Sequence, residues 1–286
     1  ALVTPFNSDH SIDFKSLTKL VEHVIKGGLD YLVVLGTTGE TATLSMEEQV
    51  AILNHVKEIN KNRKPIVLGI GGNNTAEIIH NYNYFDLEGI SAILTASPYY
   101  NKPTQEGIYQ HYKVIAENSR LPIILYNVPG RTASNMSAKT TLRLANDFEN
   151  IIGIKEASAN MDQVMEILKN KPEDFFLTSG EDALAHPITL LGGVGVISVV
   201  ANAYPKEFAK MINYSNANEV DSANQIHYHL LDFAQLIFAE GNPGGIKFAL
   251  ASLGICSDHL RLPLWEISKE LKENLEEEIA LISSKF

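Results

Sequence analysis

The chain has 286 residues, of which 45% are apolar and 20% charged, and it carries a formal net charge of −11. These are the proportions of a globular protein with a large core, and an acidic chain without a cluster of Lys and Arg is a poor match for nucleic acid or an anionic membrane. No apolar run approaches the ~20 residues of a membrane span, and no signal-peptide pattern opens the chain.

The single Cys256 cannot close an internal disulfide, which fits a reducing, cytoplasmic setting. Nine His and one Cys occur without an H-x-x-x-H or C-x-x-C pair, so no metal site is expected. The opening "ALVTPF" reads as a strand entered part-way, as though a few residues precede it.

Short β-rich apolar runs recur along the chain. They are "ALVT" at 1–4, "YLVVLG" at 31–36, "PIVLGIG" at 65–71, "SAILTAS" at 91–97, "PIILYN" at 122–127, "IIGIKEA" at 151–157, "FFLTSG" at 175–180 and "VGVISVV" at 194–200. Between them the period becomes helical. Leu17, Leu20, Val21, Val24 and Ile25 follow the spacing of one helix face, and Gly27-Gly28 ends that helix. Ser45 with Glu48 is a capping-box signature opening a helix whose buried side carries Ile52, Leu53, Val56 and Ile59.

Runs apolar on both faces, alternating with helices, imply parallel strands covered by helices. Eight such units predict an α/β fold, a (β/α)8 TIM barrel over residues 1–204, in preference to an open doubly wound sheet. From Pro205 the strand repeat stops. Helical patterns such as those from Phe208 to Ile212 and from Tyr228 to Phe238 make 205–286 a C-terminal helical appendage.

In such a barrel the site lies at the C-terminal ends of the strands. There stand Thr37 and Thr38 in "GTTGE", Tyr99 and Tyr100 in "SPYYN", Tyr126 and Arg131 in "YNVPGRT", Lys155 in "GIKEA", then "SGED" and "SVVAN". Lys155 is a charge set into an apolar strand. Side chains alternate between faces, so Ile151, Gly153 and Lys155 share one face while Ile152, Ile154 and Glu156 share the other. The aliphatic pair belongs under the helices, which turns Lys155 inward above a glycine expected to leave it room. Ile124 and Tyr126 share a face of the preceding strand, and with strands ~4.8 Å apart Tyr126 is expected beside Lys155.

An ammonium stripped of water is destabilised relative to the neutral amine. A buried neutral lysine is the usual nucleophile for an imine with a carbonyl substrate. The residues alone leave a second reading open, a lysine that snorkels to solvent or pairs with a carboxylate such as Glu181. "GTTGE" is either a tight turn capped by Thr or a nest of N–H groups that holds a carboxylate. Arg131 reads as a solvated loop charge unless the substrate is anionic, and Tyr99-Tyr100 as packing or an interface. "GIGGN" lacks the spacing of a nucleotide loop. Lys247, in "GGIKFALASLG", reads as a surface or capping lysine.

Taken in order, "VTPF", "GTTGE", "SPYYN", "YNVPGRT", "GIKEAS", "GGVGVISV" and "LRLPL" resemble the dihydrodipicolinate synthase family of pyruvate-dependent class I aldolases and lyases. The resemblance spans essentially the whole chain. It implies that Lys155 forms the imine with the C2 carbonyl of pyruvate and that Tyr126 relays protons. It implies that Thr37 links Tyr126 to Tyr100 reaching in from a neighbouring subunit. The backbone around Thr37 and Thr38 would hold the pyruvate carboxylate, with the Ile197 carbonyl nearby, and Arg131 would bind the carboxylate of L-aspartate 4-semialdehyde. The implied chemistry needs no cofactor beyond the covalent imine. The implied assembly is a homo-oligomer, a tetramer built as a dimer of dimers or a dimer.

Lysine-sensitive members of the family bind lysine in a cleft lined by a Tyr, an Asn and a Glu, which Tyr99, Asn73 and Glu77 match. Met46 and Gln49 stand where some sensitive enzymes carry histidine, which implies weak or absent feedback. Gly245 in "NPGGIK" departs from the second proline common in the family. A relative cleaving sugar acids, such as N-acetylneuraminate lyase or a keto-deoxy-sugar-acid aldolase, is the alternative, and Arg131 argues against it. The intact set of Lys155, Tyr126, Thr37 and Tyr100 argues against a silent barrel serving only as a binding protein.

Overall fold

A computed structural model describes residues 1–285. The chain divides into two compact units, Ala1–Pro65 together with the stretch from Ser198 onward, and Ile66–Ile197. In chain order the first unit opens with α1 (Phe14–Lys26), β1 (Leu32–Val34) and α2 (Met46–Asn60). The second holds β2 (Ile66–Gly69), α3 (Thr75–Asn81), β3 (Ile90–Ala96), α4 (Gln105–Asn118), β4 (Ile123–Asn127), α5 (Pro129–Thr132), α6 (Ala138–Asp147), β5 (Ile151–Glu156), α7 (Met161–Asn170), β6 (Phe176–Ser179) and α8 (Ala185–Leu190). The first unit then closes with α9 (Pro205–Asn216), α10 (Val220–Leu236), α11 (Gly244–Ser252) and α12 (Lys269–Lys285).

The helix end at Gly27-Gly28 and the capping box at Ser45 are as read, and the structure adds the start of the first helix. The Asp13 carboxylate accepts the Ser16 N–H at 3.0 Å to start α1, and Gly28, at φ +89°, takes the chain out of it. Leu17, Leu20, Val21 and Val24 are the buried stripe. In α2 the Ser45 hydroxyl accepts the Glu48 N–H and the Glu48 carboxylate accepts the Ser45 N–H at 2.9 Å. Helices α9 to α12 lie in the C-terminal stretch, and Leu271, Leu275, Ile279 and Ile282 are the buried residues of α12. No described helix is long and apolar enough to cross a membrane.

Six of the eight apolar runs contain strands. In the second unit β2 to β6 pair in sequential order, all parallel. Nearly every strand residue there is buried, the pattern of a parallel sheet with neither face left to water. Register fixes the layers of one face: Leu94, Ile124, Gly153 and Phe176 lie side by side, and Ala96, Tyr126, Lys155 and Thr178 form the level above.

The other two runs are irregular. Residues 1–4 have no strand, although the Leu2 N–H donates to the Val33 carbonyl at 3.0 Å. Over 194–200 there is a single parallel bridge, Ser179 to Val196. Gly192 and Gly195, at φ +106° and +144°, both precede that bridge with backbone no regular strand uses. An apolar count sees the run and not these two dihedrals.

Candidate active site

In the second unit, β4 and β5 place Tyr126 and Lys155 in register. Both are buried, at 7% and 6% exposure. The Lys155 Nζ stands 4.2 Å from the centroid of the Tyr126 ring, where the negative π face partly replaces lost water. The expected neighbourhood of this pair is therefore present.

The glycine that admits the lysine is a different one from that expected. A Cβ on Gly153 would lie 2.5 Å from the Phe176 ring, so Phe176 fills the space over Gly153. A Cβ on Gly180 would lie 2.9 Å from Lys155 Cε and 2.5 Å from Ala157 Cβ. Gly180, in the turn after β6, is what lets the lysine stem run upward from the strand.

Glu181 follows at once and is half-buried. Burial holds its carboxyl above the usual carboxylate range and Asp182 pushes the same way, while Lys155 and Arg131 pull it down. The two cations thus act on one acidic group at this rim. Arg131 is exposed and belongs to the four-residue α5, not to an open loop; Pro129 starts that helix and Ala133, at φ +56°, ends it. Ile197 is buried, and its N–H donates to the Ser179 carbonyl at 2.9 Å. Tyr99 and Tyr100 are exposed, Tyr100 at 87% with φ +68°. Asn73 and Glu77 are also exposed.

A polar network behind the pair was not foreseen. Glu156, the residue after Lys155, is 1% exposed on the face that alternation assigned to helix packing. Its carboxylate accepts the Asn127 amide at 3.0 and 3.1 Å, the Gln163 amide at 2.9 Å and the Ser158 N–H at 2.8 Å. Asn127, the residue after Tyr126, also donates to Asn135 at 2.8 Å and accepts the Met136 N–H at 2.9 Å. Burying a carboxylate without such donors costs several kcal/mol. The ends of β4 and β5 are thereby fastened to α7 and to the segment after Arg131.

In the first unit, "GTTGE" is a 3-10 turn, Thr37–Gly39, capped by Glu40 in the left-handed region at φ +55°. The Gly39 and Glu40 N–H groups are used within the turn, by Gly36 O at 3.0 Å and Thr37 O at 3.1 Å. The first N–H groups of a helical turn have no acceptor inside it, which leaves those of Thr37 and Thr38 as its open donors. Thr37 is exposed and Thr38 buried. The Thr4 hydroxyl donates to Gly39 O at 2.7 Å and the Asn242 amide to Thr38 Oγ1 at 3.0 Å.

Lys247 is neither surface nor cap. It is fully buried at 0% exposure and forms an ion pair with Glu40. Its Nζ also donates to the His259 carbonyl at 2.8 Å and lies 4.1 Å from the Phe6 ring centroid. Burial pulls this ammonium below the usual lysine range, and Glu40 opposes the shift. The helical pattern of "GGIKFALASLG" showed a charge on a helix but not the carboxylate that meets it. Gly245 has a local reason: a Cβ there would sit 2.6 Å from the Ile237 backbone, so α11 closes onto the end of α10 with no side chain between. Among the described residues no group of three or more His, Cys, Asp or Glu is arranged to hold a metal ion.

Comparison with known proteins shows the family of the chain. The model of the dihydrodipicolinate synthetase family matches residues 1–282. The chain is 50% identical over 276 residues to a 4-hydroxy-tetrahydrodipicolinate synthase of Flavobacterium psychrophilum, covering 96% of this chain and 94% of that one. It resembles the crystal structure of a chloride-inhibited dihydrodipicolinate synthase from Acinetobacter baumannii complexed with pyruvate, at 39% identity and TM-score 0.96, covering 99% and 97% of the two chains. It also resembles the enzyme of Cyanidioschyzon merolae with lysine bound, at 36% identity and TM-score 0.95, covering 99% and 96%. The chain belongs to the dihydrodipicolinate synthetase family.

Proposed function

We propose that this chain is a lyase that condenses pyruvate with L-aspartate 4-semialdehyde, the activity of a 4-hydroxy-tetrahydrodipicolinate synthase in lysine and diaminopimelate biosynthesis. The observation that carries the reading is the buried Lys155 beside Tyr126 at the strand ends. The Lys155 amine adds to C2 of pyruvate, and loss of the ketone oxygen as water gives the imine. Loss of a C3 proton turns the imine into an enamine, whose C3 forms the new bond to the aldehyde carbon. The amine of the semialdehyde then attacks C2, closes the ring and displaces the Lys155 amine. Tyr126 carries protons in these steps. No metal or organic cofactor is required, because the imine itself is the electron sink.

The remaining roles follow the residue-by-residue resemblance. The turn at Thr37 and Thr38, with the Ile197 carbonyl, receives the pyruvate carboxylate. Thr37 links Tyr126 to Tyr100 of a neighbouring subunit, and the exposure of Tyr100 supports such a use. Homo-oligomerisation, as a dimer or a dimer of dimers, and a cytoplasmic location belong to the same reading. The fold it requires is the complete (β/α)8 barrel over 1–204, with residues 1–4 and 194–200 as the two remaining staves and 205–286 as the helical appendage.

Arg131 is assigned the carboxylate of the semialdehyde, and its exposure at the rim together with its pull on Glu181 supports this. Arg131→Ala should raise the half-saturating semialdehyde concentration by roughly 10- to 100-fold, the worth of a charged hydrogen bond, while imine formation with pyruvate persists. A steady-state assay with both substrates, alongside borohydride trapping with pyruvate alone, tests the function. Absence of condensation but cleavage of a sugar acid would replace this reading with the sugar-lyase one. Equal damage to trapping and turnover in Arg131→Ala would remove the residue from the semialdehyde site.

Tyr99, Asn73 and Glu77 are assigned to a lysine-binding cleft. The Gln49 amide, which would have to serve as a polar partner for bound lysine, already donates to Leu44 O at 3.1 Å. Losing one partner costs a buried polar group ~1–3 kcal/mol. Turnover with added lysine should therefore show weak or no inhibition, and strong inhibition below about millimolar lysine would show that Met46 and Gln49 do not weaken the cleft as argued.

A further inference from the structure

The Lys247–Glu40 ion pair takes no chemical step in the mechanism above. Yet it is costly. Two charges are taken fully out of water, Lys247 at 0% and Glu40 at 3% exposure, and pairing alone rarely recovers such a cost. The carboxylate end of the pair belongs to the residue that caps the Thr37–Gly39 turn in the left-handed region. A side chain larger than glycine stays there only when its surroundings fix it.

Those surroundings come mainly from the closing helices of the same unit. Lys247 meets one Glu40 oxygen, and the Arg261 N–H donates to the other at 3.2 Å. The Thr43 N–H and hydroxyl both donate to the Glu40 carbonyl, each at 2.9 Å. Five residues before Lys247, Asn242 donates to the Thr38 hydroxyl at 3.0 Å. One stretch, "NPGGIK", therefore grips two of the five residues of "GTTGE". Arg261 completes the frame by a bidentate pair with Glu48, at 2.6 and 2.7 Å, and its guanidinium lies 4.5 Å from the centroid of the Phe6 ring, which Lys247 also meets at 4.1 Å.

We infer that Lys247 and Glu40, with Asn242, are positioning residues that hold the Thr37 and Thr38 amides in the orientation that binds the carboxylate of the keto-acid substrate. This rests on the proposed use of that turn. The pair acts through the turn and touches no reacting atom. It selects for a carboxylate beside the ketone and leaves the imine chemistry of Lys155 unchanged once substrate is bound.

The test compares pyruvate with its neutral amide, pyruvamide, as probes of imine formation, read by borohydride trapping and intact mass over a concentration series. The variant is Glu40→Gln combined with Lys247→Met, which removes both charges together and leaves no buried ion without a partner. Half-saturating pyruvate should rise about tenfold or more, as expected for weakened charged hydrogen bonds, pyruvamide should change little, and trapping at saturation should still reach Lys155. A general loss of structure would instead lower both probes alike. Wild-type half-saturation and wild-type preference for pyruvate in the double variant would overturn the inference. If that variant does not fold, Asn242→Ser decides by the same two measurements, with a loss of preference expected and an unchanged preference overturning it. If the unaltered protein fails to prefer pyruvate over pyruvamide, the carboxylate-holding role of the turn fails first, and the inference fails with it.

Discussion

Replacing Lys155 by Met is expected to abolish turnover, by a factor on the order of 10⁴ or more, while leaving the protein folded. Met has nearly the length of the lysine stem and no charge to desolvate, so the buried position beside Tyr126 accepts it. Lys155→Arg is expected to be equally inactive. A guanidinium does not give up its proton to become a nucleophile, and a Cβ at Gly180 would already crowd Lys155 Cε, which shows how little width this channel has. Turnover at saturating concentrations of both substrates, paired with a thermal melt, checks the expectation. A Met variant that melts normally and turns over within tenfold of the parent contradicts the assigned nucleophile.

Tyr126→Phe is the second large effect expected. The ring remains, so its packing at 7% exposure and its contact with Nζ at 4.2 Å are kept, and any loss reports the hydroxyl alone. Removing a proton-transfer group slows a reaction by roughly 10²–10⁴. Both steady-state turnover and the single-turnover rate of imine formation should fall, since proton movement accompanies loss of water from the first adduct as well as carbon–carbon bond formation. Turnover within a few-fold of the parent would reduce Tyr126 to a packing residue.

The legible part of the site was the part governed by local period. A lysine in the run "IIGIKEA" stands out because every neighbour on its strand is apolar, small or turned the other way, and alternation with ordinary strand spacing then brings Tyr126 beside it. The helix start at Ser45 was legible for the same reason, since a capping box needs only two residues three apart. What stayed hidden depends on partners from distant segments. Glu156 looked like a residue for the helix-covered face, and its amide donors arrive from β4, α7 and the backbone at Ser158. Lys247 looked like an ordinary helical lysine because nothing near it in the sequence marks Glu40 as its partner. Gly180 was passed over for Gly153 because period-2 reasoning sees along one strand and not the turn of its neighbour. The run at 194–200 failed on backbone conformation at Gly192 and Gly195, which an apolar count does not register.

The central claim is that Lys155 is the amine that binds pyruvate covalently. Treating the protein with pyruvate and borohydride, then locating the added group by peptide mass spectrometry, tests it most directly. One reduced pyruvyl group per chain, on Lys155 alone, with turnover lost in proportion to labelling, is the result the structure predicts. A label on the fully buried Lys247 or on any other lysine, or no label while condensation proceeds, would contradict it.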